Sequence, residues 1–528
     1  MLGQQSPQRS LFDVAFLYED LIPKDSFHWF LGDKREELFR DEDFKELYCL
    51  SNGRPSVAPS LLATALLLQS HDRASDQEAW ERSQYDARWK HALGVPFGEQ
   101  PFAKSTLQLF RAKLLVHNKV EAIFRRSLEY ASEEGFLRGK KIKAVVDTTP
   151  IFGRGAVKDT YNLLADGIRQ VVTALAAAAD VEPETWAAEH GCERYFSGSV
   201  KGQAGVNWDE ETSRRRFLRG IVEDAEEILR HVRDEQDEKV HERLAAAAGI
   251  LSNILQQDIE AEADGPKIRE GVAKGRIVSV HDPQMRHGRK SSRVRFDGHK
   301  GAIAVDPETQ LITAVAVVDA SSYDGDTALQ LTEATEENLD CEVEETIGDC
   351  AYGDGTARRE FAEADRKLVA KVPRPRRGKV IPKEDFAIDL EAGSCTCPAG
   401  HVTTDLRPAG SRTDRRGRRV PRRLFRFPND VCRACPLRSS CTSGRSGGRT
   451  VTVHPREAEL QAARAFQQSE ASREYKVHRQ TVEHRLARLM QLGVRQSRYF
   501  GQPKTLFQLS LAAAVANLTL LAALGQAG

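Results

Sequence analysis

The spacing of hydrophobic residues changes several times along the chain, and each change predicts a different kind of element. Up to about residue 130 the apolar residues recur with helical spacing, and a nearly all-apolar run follows Pro59. At residues 141–146 a run rich in β-branched residues, KIKAVV, is typical of a strand buried on both faces of a sheet. We expect this strand to stop at Asp147, because Pro150 follows and proline cannot donate a backbone hydrogen bond.

Alanine-rich helices are predicted next, and they separate the first strand from the strands that follow. Residues 166–272 read as an inserted antiparallel helical hairpin with one charged face. From residue 273 to 373 the period returns to two, and residues 293–306 and 310–320 are predicted to form a β-hairpin. A further strand ends directly before Asp349.

Asp147 and Asp349 therefore match as carboxylates that follow two core strands. A carboxylate in this position is either a helix cap or a ligand of a positive group. Two such acids close together raise each other's proton affinity, and a divalent cation between them is the usual reason to tolerate this. The pattern leaves both readings of each aspartate open.

Residues 457–492 are predicted to form one long helix or two joined helices. Tyr475, Arg479 and Glu483 recur every four residues and lie on one stripe of that helix. A glutamate among apolar positions needs a partner, and Arg479 one turn earlier is one choice. The other choice is the cation suspected beside Asp147 and Asp349.

Composition and charge limit the class of protein. The 528 residues imply two to four domains, and 77 basic residues balance 77 acidic ones, so bulk charge gives no sign of nucleic-acid binding. The N-terminus has no apolar signal core. Residues 506–524 are long enough to span a bilayer, but polar residues interrupt them, so we expect a buried helix and no membrane partner.

The cysteines are spaced like metal ligands in the segment 395–441. A CxxC pair, a nearby third cysteine and an earlier Cys-Pro are the spacing of a tetrahedral Zn²⁺ site in a zinc ribbon, and free thiols are the alternative. The predicted ligands are Cys397, Cys432, Cys435 and Cys441, with Cys395 or His401 as substitutes.

Basic residues are concentrated locally although the chain is neutral. Residues 402–449 hold thirteen arginines against three aspartates, which favours a nucleic-acid surface, with a disordered basic loop as the alternative. A second basic cluster lies in a loop rich in glycine and serine near residue 288. The predicted DNA contacts in these two places are Arg286, Arg289, Lys290, Arg415, Arg416, Arg418, Arg419, Arg422 and Arg423.

The N-terminal helices allow two readings. Trp80, Tyr85 and Trp89 alternate with basic residues, which fits a DNA-binding module of the helix-turn-helix kind. The alternative is a helical bundle that packs on the next domain.

Five ordered blocks, DTTPIFGRGAVKD, DPQMRHGRK, DCAYGD, CRACPLRSSC and TVEHRLARLMQLGVRQSRYF, resemble a bacterial insertion-sequence transposase of the DDE class. The resemblance covers essentially the whole chain and implies an α/β (α+β multidomain) fold with a ribonuclease-H-like catalytic core. The implied divisions are a helical DNA-binding or dimerisation domain at 1–138, core strands at 139–165 and 273–373, a helical insertion at 166–272, a zinc-ribbon-like insertion at 374–456, and C-terminal core helices at 457–528.

The same resemblance implies the activity. Asp147, Asp349 and Glu483 would be the catalytic ligands of two Mg²⁺ (or Mn²⁺) ions, and Tyr475, Arg479 and Lys504 would contact DNA. In many relatives a lysine follows seven residues after the glutamate, and Met490 stands there in this chain, while the Tyr-to-Arg spacing is one residue longer.

The implied partners are a second copy of the chain and double-stranded DNA, which comprises the terminal inverted repeats and the target. The implied location is the cytoplasm, in association with the bacterial nucleoid. The alternatives are a stand-alone metal-dependent nuclease and a zinc-ribbon DNA-binding protein without cleavage activity.

Overall fold

The computed structural model describes residues 1–5, 14–17, 19–49, 51–137, 141–234, 241–273, 275–291, 293–372, 380–444 and 447–525. Its N-terminal part is helical, as the sequence pattern predicts. Helix α3 is buried from Pro59 to Gln69. It begins at a proline, which is tolerated there because the first N–H groups of a helix have no hydrogen-bond acceptor within the helix. The helices are α1 (Val14–Leu17), α2 (Phe27–Leu38), α3 (Pro59–His71), α4 (Asp76–Tyr85), α5 (Ala87–Leu93), α6 (Lys104–Val116) and α7 (Ala122–Glu133).

These helices share one hydrophobic core with the central sheet, which favours the helical-bundle alternative. Trp89 is fully buried, and the buried ammonium of Lys90 donates to the backbone carbonyl of Glu99. Of the aromatic residues that suggested a DNA-binding face, Tyr85 is the exposed one, at 65%. The packing against the sheet therefore accounts for most of the apolar pattern in this region.

A six-stranded sheet forms the centre of the molecule. Its order is β6-β5-β1-β7-β8, and β4 pairs with the start of β5. β5 runs antiparallel to β1, β6 and β4, whereas β1, β7 and β8 run parallel to one another. The strands are β1 (Ile142–Phe152), β4 (Arg286–Arg289), β5 (Arg295–Val305), β6 (Ile312–Asp319), β7 (Val343–Gly348) and β8 (Leu368–Ala370), and β2 (Ile259–Glu262) and β3 (Gly265–Ile268) form a separate hairpin.

The predicted end of β1 at Asp147 is wrong, because the strand continues to Phe152. Pairing with β7 stops at Val145, but pairing with β5 continues and places Pro150 opposite Lys300. Beyond Val145, strand β1 is hydrogen-bonded to β5 on one side and has no partner strand on the side of β7. A proline is tolerated in such a strand, because its missing N–H can face the unpaired side. Asp147 thus lies inside a strand, beside the point where its neighbour ends.

In the segment predicted to be a helical insertion, the described residues are largely helical, and the helical part ends at Asp258, earlier than expected. Its helices enclose a core of their own that includes Leu163, Ile221 and Leu251. The helical reading of residues 259–261 is wrong, because the chain turns at Gly265, with φ +112°, and forms the hairpin β2–β3. The helices are α8 (Thr160–Ala178), α9 (Pro183–Glu189), α10 (Val200–Gln203), α11 (Glu211–Asp234) and α12 (His241–Asp258).

The cysteine- and arginine-rich segment contains two small three-stranded sheets. One has the order β11-β10-β9 and the other β12-β13-β14, so the basic stretch forms a regular hairpin and not a disordered loop. Two helices of the central domain, α13 (Ala328–Leu339) and α14 (Gly355–Glu363), precede it. The segment comprises β9 (Ala387–Asp389), β10 (Ser394–Thr396), β11 (Val402–Thr403), β12 (Leu406–Thr413), β13 (Arg419–Arg426), α15 (Asn429–Ala434), α16 (Arg438–Cys441) and β14 (Thr450–Val453).

Three helices complete the fold: α17 (Glu457–Gln468), α18 (Ser472–Gln491) and α19 (Gln502–Gly525). The prediction of two joined helices is confirmed. Helix α19 is long and apolar enough to cross a membrane, but 72% of its apolar window is buried inside the protein, as in the core helix of a soluble protein. Buried Asn517 accepts a hydrogen bond from the backbone N–H of Ile312 (2.9 Å) and donates to its carbonyl (2.8 Å), so α19 is fixed along β6.

Candidate active site

Two of the predicted catalytic acids lie side by side where strands β1 and β7 diverge. Val145 pairs with Ile347, and Asp147 and Asp349 each follow two residues later. Asp349 Oδ1 accepts the backbone N–H of Ala351 (2.7 Å) and caps a short 3-10 turn, whereas Asp147 Oδ1 accepts the N–H of Thr148 (2.8 Å). Each carboxylate uses one oxygen for the backbone, so the capping and ligand readings of Asp349 are compatible.

Helix α18 brings the third predicted acid and an arginine to the same place. Arg479 donates to Asp147 Oδ2 (3.1 Å) and to the carbonyl of Val146 (3.1 Å). Its guanidinium lies 3.8 Å from Glu483 Oε1, one helical turn further on. The Glu483 side chain is 62% exposed, so the expectation that it lies among buried residues is wrong, and it faces the open side of the site.

The electrostatics of the pair reflect its partial burial. Burial raises the pKa of Asp147, and the charge of Asp349 raises it further, while Arg479 and the Thr148 N–H lower it. The balance leaves the pKa of Asp147 above its ordinary value. A positive group is needed to keep both carboxylates ionised, and Arg479 supplies part of that charge.

Two buried tyrosines support the strand ends behind the carboxylates. The hydroxyl of Tyr475 donates to the carbonyl of Gly348, and burial raises the pKa of Tyr475 to about 12. Tyr475 is 5% exposed, so in this structure it braces the residue before Asp349 and offers no surface to DNA. The hydroxyl of Tyr352 is buried and has no hydrogen-bond partner within the described chain.

The three carboxylates are the oxygen donors that Mg²⁺ and Mn²⁺ prefer. The adjacent acids Asp147 and Asp349, the first with a raised pKa, fit a site that a divalent cation would neutralise. Within the described ranges, the carboxylate oxygens of Asp147, Asp349 and Glu483 do not all lie within 4.8 Å of one another. Arg479 pairs with Asp147 and lies beside Glu483, so cation binding would compete with that pairing.

Several predicted DNA contacts lie at the surface, with one correction. The loop expected near residue 288 is the edge strand β4, because its backbone pairs with Arg295–Gly298. Arg286 donates to the carbonyl of Met285 (2.8 Å) and is half-buried. The exposed members of the predicted set are Arg289, Lys290, Arg415, Arg416, Arg419, Arg423 and Lys504.

Three of the predicted DNA-binding arginines are already ion-paired, so the premise of unpaired charge is wrong for them. They lie at the tip of the hairpin β12–β13, which rests on α14 and on the 3-10 turn Asp324–Thr327. Arg415 contacts Asp326 (2.6 Å) and Asp354 (2.8 Å), and it stacks over the ring of Tyr323 at 3.7 Å. Arg416 pairs with Glu360 (2.8 Å), and Arg418 pairs with Glu363 (3.3 Å).

The four predicted zinc ligands converge on one small cavity. Cys397, Cys432, Cys435 and Cys441 line a space of about 20 Å³, together with His401. Burial raises the pKa of the Cys441 thiol, and the charges of the three other cysteines add to this effect. The backbone N–H of Arg449 donates to Cys432 Sγ (3.4 Å). These four thiols thus line one space, although within the described chain no three of their sulfur atoms all lie within 4.8 Å of one another.

Cys395 does not belong to that group. It is fully buried in β10, among the phenylalanines of the small core. Cys397 follows the end of β10 and lines the cavity, whereas Cys395 lies within β10 and does not line it. The substitution of Cys395 for Cys397 considered from the sequence is therefore disfavoured.

A buried polar cluster in the N-terminal helices has no signal in the sequence pattern. Within the described chain, His28, His71 and Asp72 form the one group of three possible metal ligands whose atoms all lie within 4.8 Å. Asp72 also accepts hydrogen bonds from Arg82 and from Trp89 Nε1, each at 2.8 Å. Burial alone would raise the pKa of Asp72, but the contacts with His28, His71 and Trp89 hold it well below the ordinary range. We interpret Asp72 as a structural acceptor.

We expect Asp72→Ala to lower the free energy of unfolding by about 3 kcal/mol, because buried donors lose their acceptor. Urea titration measures this, and Glu37→Ala, which removes an exposed pair with Lys34, should change stability little. Because the folded pKa is lowered, the stabilisation by Asp72 is present above about pH 3.9 and is lost as the pH falls below it. Equal stability of Asp72→Ala and wild type at pH 7 would contradict the structural role.

Comparison with known families gives two matches. A model described as Transposase DDE domain matches residues 396–522, which include Glu483 and the four cysteines. A model described as Transposase domain (DUF772) matches residues 16–113, which include the Asp72 cluster. Asp147 and Asp349 lie outside both matched ranges. A comparison with curated proteins found no match.

Proposed function

Because the two family matches indicate an insertion-sequence transposase of the DDE class, we propose that this protein cuts and joins DNA at the terminal inverted repeats of its own element. The observation that carries the proposal is the meeting of Asp147 and Asp349 at adjacent strand positions, with Arg479 and Glu483 beside them on α18. The DDE match suggests a ribonuclease-H-like core. The strand order β6-β5-β1-β7-β8, in which β5 alone runs opposite to the other four strands, agrees with that suggestion.

In the proposed mechanism Asp147, Asp349 and Glu483 would hold two Mg²⁺ or Mn²⁺ ions. When bound, such ions supply an activated water or 3′-hydroxyl and stabilise the leaving oxygen at phosphorus. Asp147 and Asp349 keep fixed positions because their backbone contacts and the Tyr475 brace hold the ends of β1 and β7. Arg479 offers a planar guanidinium fork, which pairs with Asp147 and is also suited to a phosphate oxygen.

We also propose that Cys397, Cys432, Cys435 and Cys441 hold a structural Zn²⁺. Four thiolates suit zinc, and the N–H of Arg449 on Cys432 Sγ is the kind of outer contact that orients such a ligand. The zinc would join the turn after β10 to α15 and α16 and fix the base of the arginine-rich hairpin. Action on two element ends calls for at least a homodimer on DNA, in the cytoplasm where the DNA lies.

The proposed function is tested with DNA that carries the sequences flanking the gene. We expect Mg²⁺-dependent nicking at the repeat boundary and joining of the new 3′-hydroxyl to a second duplex. Cleavage without joining would support the alternative of a stand-alone nuclease. Binding without any nick in Mg²⁺ or Mn²⁺ would support a DNA-binding protein derived from a transposase.

A further inference from the structure

A basic cavity lies beside the proposed active site and plays no part in the mechanism above. This space of about 660 Å³, here called the hairpin cavity, lies between the hairpin β12–β13, the start of α14 and the start of α17. Asp354, which lines it, follows Asp349 by five residues, so the cavity opens next to the catalytic loop. Its charged lining consists of Arg359, Lys383, Arg412, Arg415, Arg422, Arg456, Arg464, Asp354, Glu384 and Asp414.

Most of these charges are compensated inside the protein. The three acids pair with cavity arginines: Asp354 with Arg415 (2.8 Å), Glu384 with Arg464 (3.6 Å), and Asp414 with Arg359. The two other cations that contact acids do so outside the cavity, Lys383 with Glu457 (2.5 Å) and Arg456 with Glu459 (2.8 Å).

Arg412 and Arg422 differ from the rest of the lining. Neither forms an ion pair or a side-chain hydrogen bond with any residue that the structure describes. The Nε–H of Arg422 is buried and has no acceptor, which is costly for a charged donor. The cavity therefore has an uncompensated positive wall.

The sheet geometry puts these two arginines on the same wall. Arg412 pairs with Val420 across the hairpin, and Arg422 follows Val420 by two residues on β13. Residues that are paired across strands, or two apart on one strand, project from the same face. Arg419 and Arg423, on the same strand, project from the opposite face and do not line the cavity.

We propose that the hairpin cavity binds the phosphodiester backbone of an unpaired DNA strand, with Arg412 and Arg422 as the phosphate ligands. Two adjacent guanidinium groups are suited to phosphate oxygens. The volume is that of a pocket for a ligand of nucleotide size, which excludes a turn of duplex. The lining residues include no phenylalanine, tyrosine or tryptophan on which a base could stack, so the backbone is recognised and not the sequence.

This inference rests on the proposed function, since cleavage beside Asp349 is what would deliver an unpaired strand. The end of the DNA strand that is released next to the catalytic carboxylates would pass Asp354 and contact Arg412 and Arg422. The tip arginines, held by their own acids, are not needed for this contact. Arg415 instead fixes the hairpin against Asp354, so that the wall faces the catalytic loop.

The test measures binding of a fluorescein-labelled single strand of about ten nucleotides to the full chain over a range of salt concentrations, in buffer that contains neither Mg²⁺ nor Mn²⁺ and no chelator. Each phosphate contact to a single strand contributes a slope of about 0.7 in log K against log salt. We expect Arg412→Ala with Arg422→Ala to reduce the slope by about 1.4 and to weaken binding about tenfold at low salt. Replacing both with lysine should restore most of the slope, because the charge returns.

The matched control is Arg419→Ala with Arg423→Ala, which removes two arginines from the other face of the same hairpin. An equal loss of slope in both double variants would overturn the proposal, because the hairpin would then bind through its general charge. Stabilisation by millimolar inorganic phosphate, without binding of the oligonucleotide, would also overturn it in favour of a free anion. Without Mg²⁺ or Mn²⁺ no cleavage is expected, and without a chelator the proposed zinc stays in place, so this result is independent of the proposed activity, which the joining assay tests separately.

Discussion

Replacing Asp147 with asparagine is expected to reduce metal-dependent cleavage at least about a thousandfold, while binding to repeat DNA changes by less than about twofold. Asparagine keeps the shape of the side chain and the contact with the Thr148 N–H, but it removes the negative charge that a divalent cation requires. Asp349→Asn and Glu483→Gln should behave alike, because the three carboxylates act as one set. Cleavage is measured on the DNA that serves for the joining assay.

The matched control for these variants is Glu345→Gln. Glu345 is also a carboxylate of β7, and it pairs with Lys143 and Lys367 away from Asp349. Its replacement should leave cleavage within about threefold of wild type, since it removes a partly exposed ion pair. If one of the three catalytic variants cleaves as fast as Glu345→Gln, that residue does not belong to the metal-binding set. Loss of DNA binding in Asp147→Asn would point instead to a folding defect.

Replacing Cys432 with serine is expected to open the whole cysteine- and arginine-rich segment to protease. Among the described residues of this segment, only six form its buried core, including Phe386, Phe425 and Phe427. A core of that size does not stabilise a domain without a disulfide or a metal ion. Binding of a structural zinc ion contributes about 10–16 kcal/mol to the folding of small domains. Limited proteolysis should therefore cut within residues 381–453 in the variant and in wild type treated with a chelator.

Metal analysis provides the second measurement for this site. We expect about one zinc per wild-type chain and less than about half an equivalent in Cys432→Ser. Cys49→Ser is the control, since Cys49 is exposed and far along the chain from the cluster. Cys395→Ala should keep its zinc, because Cys395 faces the phenylalanine core. Full zinc content in Cys432→Ser, with unchanged proteolysis, would exclude the site.

The elements that local chemistry determines could be predicted from the sequence. The hairpin β5–β6 was predicted across residues 306–309, because Asp306 and the residues after it form a turn whatever surrounds them. The adjacency of Asp147 and Asp349 followed from two apolar runs that each end in an acid. The buried state of α19 followed from its polar interruptions. All three depend on short stretches of sequence.

Features that depend on distant partners could not be predicted. Pro150 is accommodated in β1 because β7 ends beside it, and nothing near Pro150 in the sequence carries that information. The arginines at the hairpin tip were expected to lack ion-pair partners. They pair with acidic residues that are distant in sequence, as Arg416 does with Glu360, 56 residues away. A count of local charge detects a basic stretch, but it does not distinguish a paired arginine from a free one.

Helix α19 has a consequence for the biogenesis of the protein. Leu509 and Val515 of this helix belong to the same core as Leu66 of α3 and Ile303 of β5, so one face of the sheet stays uncovered until α19 has been made. Domains generally fold as units during synthesis. Until α19 has been synthesised, the apolar face of the sheet that it covers stays exposed to solvent. A stop codon or frameshift just before α19 would therefore yield an aggregating chain and not a shortened enzyme. Ribosome-bound chains that lack α19 should need chaperones until it emerges.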